Sequence, residues 1–266
     1  LFATSLVEFI PYSSGGVGFY IASFSVFFVI SFLKGTSGGG FGILAVPIMA
    51  LFIPVVDATV IAAPLFCLMD IFAINAYPPK TWDKDNLKII VPACLGGILV
   101  GGILLDTLNT VAIELLVATI AVVFAGKWFI ERLLKKPVPP RTRANAVKGI
   151  FWGMVSGFTS VLAHSGGPPI SVYLLPQRLD KTIFAGTNVV FFMVGNYFKI
   201  LPFIFLGLIT AKTGIASLLI APIVPLGIFA GKRFHDVLSQ EIIYRVCYGL
   251  ILIVGLKLAG DALSAP

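Results

Sequence analysis

The stretch Lys34-Gly35-Thr36-Ser37-Gly38-Gly39-Gly40-Phe41-Gly42 interrupts an apolar run with glycines and one cation. Its echo comes 127 positions later, at His164-Ser165-Gly166-Gly167-Pro168-Pro169. Glycine opens backbone angles that other residues resist, and proline removes a backbone donor, so both stretches predict an unwound helix. Backbone unwound at membrane depth is tolerated only inside protein or beside a water-filled cavity. Paired breaks in two halves of a chain point to a transporter's substrate site. The competing reading is that the glycines merely let helices pack closely.

The setting of these breaks is a membrane. Of 266 residues, 58% are hydrophobic and 12% are charged, against about a quarter charged in a soluble domain. The chain therefore reads as an all-α polytopic membrane protein in a lipid bilayer. Its net charge of +7 is concentrated in a few loops, which makes the cations orientation signals rather than nucleic-acid contacts. No targeting peptide is evident, and because the chain opens on Leu1 an initiator segment is expected ahead of it. Cys67, Cys94 and Cys247 lie in apolar runs without metal-ligand spacing and read as buried free thiols.

Apolar segments fall at 17–33, 41–53, 56–77, 89–105 and 111–130. The second of these is too short for a comfortable crossing, which takes about 20 residues. A basic loop with Arg132, Lys135, Lys136, Arg141, Arg143 and Lys148 follows. The order then recurs at 147–163, 170–175, 182–206, 213–230 and 242–258. At an offset of 127, Gly39 and Gly40 meet Gly166 and Gly167, and Ala58 meets Ala185; at 130, Gly97 meets Gly227, Gly101 meets Gly231 and Lys127 meets Lys257. This predicts a first membrane repeat at 17–130, a cytoplasmic linker at 131–146 and a second repeat at 147–260. Placing the basic linker in the cytoplasm also puts the basic loops 78–88 and 232–240 there. Each half then makes three net crossings after a glycine-broken helix hairpin, so the second half enters the other way up. That is an inverted-topology repeat, with both termini outside.

The segments after the breaks begin with unpaired amides at the positive end of a helix dipole, which suits an anion. Gly39, Gly40, Gly166 and Gly167 allow close backbone approach, and Ser165, Thr187 and Asn188 offer side-chain donors; helix capping or bonding to a nearby carbonyl is the alternative for Ser165 and Thr187. Lys199 lies inside an apolar segment, where a charge costs about 2.5–3.5 kcal/mol on insertion scales, so it is a functional candidate. It can bind the anion, pair with a carboxylate or snorkel. Lys34 and His164 flank the breaks; His164 either titrates near neutrality or serves as a neutral hydrogen-bonding group. Asp70 also sits at membrane depth, and the repeat aligns it with Tyr197, two residues from Lys199. This predicts a switchable Asp70–Lys199 ion pair with Asp70 carrying a coupling proton.

The chain contains no HExxH, GxSxG, Walker A or CxxC motif. Two histidines, His164 and His235, exclude a multi-histidine metal centre. No catalytic residue, metal or cofactor is expected, and the chain does not read as an enzyme.

The glycine-rich break after an apolar helix, its proline-followed second copy and the later Ala185-Gly186-Thr187-Asn188 resemble the sulfite exporter TauE/SafE family over most of the chain. The resemblance implies a secondary carrier in the bacterial plasma membrane, exporting a small sulfur-containing anion such as sulfite or sulfoacetate. Duplicated carriers of this size often dimerise, so a homodimer is expected. Two other readings stand beside it: an anion channel with the same site, and a membrane assembly protein whose glycines only pack helices.

Overall fold

The computed structural model describes residues 12, 16–37, 39, 41–75, 77–134, 142–233 and 240–264. Among them every regular element is helical. The first half runs α1 (Gly16–Ser37), a 3-10 turn at Gly42–Leu44, α2 (Ala45–Met49), α3 (Val55–Ile74), α4 (Lys84–Thr107) and α5 (Thr110–Leu133). The second half runs α6 (Ala146–Ala163), α7 (Gly167–Leu174), α8 (Lys181–Phe205), α9 (Ala211–Ile220), α10 (Ile223–Arg233) and α11 (Gln240–Ser264). Among the described residues seven stretches are long and apolar enough to cross a bilayer, α9 and α10 counting together as Ala211–Arg233.

Polar residues at the segment ends start these helices. Asp83 caps α4 by accepting from the Asn86 amide at 3.0 Å, Asn109 caps α5 through the Ala112 amide at 2.8 Å, and Asn145 caps α6 through the Lys148 amide at 2.9 Å. Asp180 does the same for α8 through Thr182 at 2.8 Å. Each cap satisfies donors that have no partner inside their own helix. The segment expected at 213–230 is two helices rather than one. Pro222 lies between Ile220 and Ile223 and cannot donate the bond that would carry the helix through. Inside α3, Pro64 leaves a similar gap, and the Ser217 hydroxyl on α9 donates to the nearby Ile61 carbonyl at 2.9 Å.

Glycines decide which helices touch backbone to backbone. A Cβ on Gly157 of α6 would lie 2.8 Å from the Cys94 carbonyl carbon of α4, and one on Gly97 would lie 2.9 Å from the Phe158 nitrogen of α6. On the other side, a Cβ on Gly227 of α10 would lie 2.8 Å from the Phe28 carbonyl oxygen of α1, and one on Gly231 would lie 2.9 Å from the Phe32 carbonyl carbon. Small residues permit such close approach in apolar surroundings. Gly97 and Gly101 align with Gly227 and Gly231 in the sequence, and each pair of glycines packs on the first helix of the opposite half. The halves are thus interlocked, α4 on α6 and α10 on α1.

The returning arms after the breaks are short. Helix α2 has five residues and α7 has eight. At 1.5 Å per residue neither approaches the ~30 Å needed to cross the hydrocarbon core. Both arms turn back inside the protein, and their tips meet: a Cβ on Gly42 would lie 2.6 Å from the His164 carbonyl oxygen.

Candidate functional site

Where the tips meet, α1, α3, α6 and α8 and the two breaks line a small cavity of about 30 Å³. Its wall includes Ile30, Lys34, Gly39, Phe41, Gly42, Phe66, Ser160, His164, Gly167, Phe192, Asn196 and Lys199. Two of these are lysines, 4% and 1% exposed.

The second break is shaped by hydrogen bonds that terminate α6. His164 adopts a left-handed conformation, φ 51°, in the place where glycine usually ends a helix. Its amide bonds Ser160 O at 3.0 Å, and the Ser165 amide reaches Thr159 O at 3.1 Å. The carbonyls beyond are capped from α6 itself: Thr159 donates to Ser165 O at 3.0 Å and Ser156 to Gly166 O at 2.7 Å. This turn aims the His164 ring into the cavity, against the Phe66 ring at 4.6 Å. Pro168 and Pro169 carry no amide hydrogen, so Gly166 and Gly167 are the only amide donors at the mouth of α7.

The charged groups fall into two sets. Lys34 of α1 forms a buried ion pair with Asp70 of α3. The other Asp70 oxygen accepts from Asn196 Nδ2 of α8 at 2.6 Å. In the second set, Lys199 Nζ lies 2.5 Å from His164 Nδ1 and 3.4 Å from Ser160 Oγ. His164 Nε2 is 2.9 Å from the Thr59 carbonyl. A carbonyl only accepts, so Nε2 carries the hydrogen. One hydrogen then lies between Nδ1 and the Lys199 nitrogen. Among the described residues no carboxylate forms an ion pair with Lys199.

The predicted Asp70–Lys199 pair is therefore replaced by Lys34–Asp70. The repeat alignment located Asp70 relative to α8, but α1 brings its own cation closer. Five of the expected binding residues face the cavity: Lys34, Gly39, His164, Gly167 and Lys199. Gly39 has φ +128°, which a side chain would resist, and its Cα faces Phe192. Gly40 lies outside the described residues. Gly166 and Ser165 sit behind the wall; the Ser165 hydroxyl donates to the nearby Ala163 carbonyl at 3.1 Å. Thr187 and Asn188 do not line the cavity. The Thr187 hydroxyl accepts from the Asp83 amide at 2.9 Å, holding α8 to the start of α4. Asn188 is buried with an unpartnered Oδ1.

Two polar members of the wall, Ser160 and Asn196, were not expected from sequence. Phe192, Asn196 and Lys199 are spaced four and three residues apart on α8, and Ser156 and Ser160 lie four apart on α6. That helical spacing placed them on one face with the charged residues. The first arm also differs from expectation. It begins as a 3-10 turn and continues for only five helical residues, so it lacks the dipole that the eight-residue α7 presents.

A multi-pass helical bundle with two broken hairpins meeting at a lysine-lined cavity is the architecture of a membrane transport protein. The family model "Sulfite exporter TauE/SafE" matches residues 23–258, and the chain belongs to this family. It is similar to a Cupriavidus necator protein named "Probable sulfite/organosulfonate exporter TauE", with 24% identity over 195 residues, 71% of this chain and 74% of the relative. No solved structure gives a significant match.

Proposed function

We propose that the protein is a secondary carrier that exports a small sulfur-containing anion, sulfite or an organosulfonate such as sulfoacetate, across the bacterial plasma membrane. The observation that carries this reading is Lys199: a fully buried cation at a cavity, with no carboxylate pairing among the described residues. Burying such a charge costs several kcal/mol unless it is paired, and a bound anion offsets that cost. Sulfite and sulfonate groups present three oxygens, which suits the Lys199 ammonium together with the Ser160 hydroxyl and the Gly167 amide. Ile30, Phe41, Phe66 and Phe192 add apolar and aromatic surface suited to the organic part of a sulfonate.

The recurrence of element order in the two halves supports an inverted repeat, with the basic loops cytoplasmic and both termini outside. The glycine-locked pairs α4–α6 and α1–α10 are suited to move as two units. Rocking one against the other opens the cavity to alternate sides, and the substrate biases that equilibrium only as far as it binds the two states unequally. A homodimer is the assembly we expect. The protein acts on its substrate by moving it, not by chemistry.

Reconstituted vesicles loaded with unlabelled sulfoacetate test the reading. A carrier accumulates external labelled sulfoacetate by counterflow, and Lys199→Met abolishes it. Flux without counterflow identifies a channel and refutes alternating access. No flux of sulfite, sulfoacetate or taurine removes sulfur anions as the cargo.

A further inference from the structure

Two further helices attach to the glycine-locked pairs. Helix α8 goes with α4 and α6: the Thr187 hydroxyl accepts from the Asp83 amide at the start of α4, and a Cβ on Gly102 of α4 would lie 2.9 Å from Pro202 Cβ of α8. Helix α3 goes with α1 and α10: Asp70 pairs with Lys34, and Phe72 packs edge-on against Phe229 with ring centres 6.1 Å apart. Where these two units face each other, hydrogen bonds cross between them at two levels of α3.

At the first level the Thr59 hydroxyl donates to the Leu162 carbonyl of α6 at 3.1 Å, and the Thr59 carbonyl accepts from His164 Nε2 at 2.9 Å. At the second level Asp70 accepts from Asn196 Nδ2 of α8 at 2.6 Å. Thr59 precedes Asp70 by eleven residues, about 16 Å along the helix axis. Phe66 lies between the two levels, and Phe66, His164 and Asn196 all belong to the cavity wall. The cavity is thus bracketed along α3 by one set of bonds toward its Val55 end and another toward its Ile74 end.

Resting on the alternating-access reading, we propose that these two levels are the gates of the carrier. Thr59 with Leu162 and His164 closes one face, and Asp70 with Asn196 closes the other. Each half of the cycle opens one level while the other holds. Apolar side chains keep contact as helices slide, but a hydrogen bond is lost once its partners part beyond about 3.5 Å. Thr59, Asp70 and Asn196 are buried, so their polar atoms find no substitute while their gate is shut. Water replaces the lost bonds when it opens. Removing one bond therefore weakens the shut gate and leaves the open one unaffected, which moves the equilibrium toward the face that this gate guards. The Lys34–Asp70 pair lies inside one unit and survives both movements.

Sided labelling tests the assignment. Ser160→Cys puts a thiol in the cavity wall, and a membrane-impermeant maleimide is applied to right-side-out and to inside-out vesicles. The rate for the chain without the new cysteine is subtracted. Into this background go Thr59→Val, which keeps the side-chain shape without the hydroxyl, and Asn196→Leu, which lacks the amide. The expected result is that each variant changes the ratio of labelling from the two faces by about three- to tenfold, the worth of one net hydrogen bond, and that the two variants favour opposite faces. Thr59→Ser keeps the hydroxyl and labels as the wild type does. A shift toward the same face by both variants, faster labelling from both faces at once, or unchanged rates overturns the proposal. Where Asn196→Leu does not fold, the contrast between Thr59→Val and Thr59→Ser decides the matter. Sulfoacetate counterflow by the wild type separates the failures. With counterflow intact, those results strike the gates alone; without it, alternating access fails and the gates fall with it.

Discussion

Gly157→Ala and Gly126→Ala make opposite demands on the structure. Both glycines lie inside helices, α6 and α5. Alanine improves helix propensity by about 1 kcal/mol at either site. At Gly126 a Cβ meets nothing within 4 Å, so that gain stands alone. At Gly157 the same atom lies 2.8 Å from the Cys94 carbonyl carbon and 3.0 Å from its Cα, with the carbonyl oxygen closer still. Those neighbours are backbone, which cannot rotate aside as a side chain does, so α4 and α6 must separate. Overpacking of this kind costs about 1–3 kcal/mol, and the lost close contacts of the surrounding crossing add to it. The net effect is a loss of about 1–2 kcal/mol at Gly157 against a gain of up to about 1 at Gly126. Thermal unfolding in detergent, followed by tryptophan fluorescence or by loss of the monodisperse peak, should show Gly157→Ala melting several degrees below wild type and Gly126→Ala at or above it. Equal stabilisation by both substitutions would refute the backbone contact between α4 and α6, and with it the two-unit division of the bundle.

Further outcomes follow from single contacts. Lys34→Ala leaves the buried Asp70 carboxylate without its cation and should destabilise the protein by about 3–5 kcal/mol, whereas Lys34→Met combined with Asp70→Asn recovers most of the loss; thermal melts of the three proteins check this. Thr187→Ala removes one hydrogen bond to the Asp83 amide and should cost about 1 kcal/mol of stability with sulfoacetate affinity unchanged; reduced affinity without reduced stability would return Thr187 to the binding site. Asp83→Ala removes the α4 cap and should lower stability by about 1 kcal/mol, measured the same way.

The membrane class and the positions of the helices were legible in the sequence because long apolar runs admit few alternatives. Helix starts matched within one residue where Asn109, Asn145 and Asp180 cap them, whereas Asp83 starts α4 at Lys84, five residues ahead of the expected 89. The two breaks were equally plain, since clustered glycine and proline in apolar sequence leave little but unwinding. Their meeting was less so: what brings Gly42 against His164 is the packing of α1, α3, α6 and α8, and no local pattern encodes it. Lys34, His164 and Lys199 announced themselves as charges where charges are costly. Asn196 and Ser160 carry no such signal, because an uncharged polar residue in a membrane helix more often bonds its own backbone. Asp70's partner was misread for a physical reason. Sequence repeats relate equivalent helices to one another, but ion pairs form between whichever helices lie adjacent, and α1 lies beside α3. Pro222 should have divided the 213–230 segment, although a proline inside a membrane helix often bends it without ending it.

The central claim is that Lys199 is the cation that receives a sulfur anion. Sulfoacetate and sulfite binding to purified wild type and Lys199→Met, with acetate and sulfate as comparison ligands, tests it most directly. The account predicts selective binding by the wild type and a loss of at least about tenfold in the variant, the equivalent of about 1.4 kcal/mol. Unchanged affinity in a folded Lys199→Met protein would contradict it and move the anion to the amides of the second break.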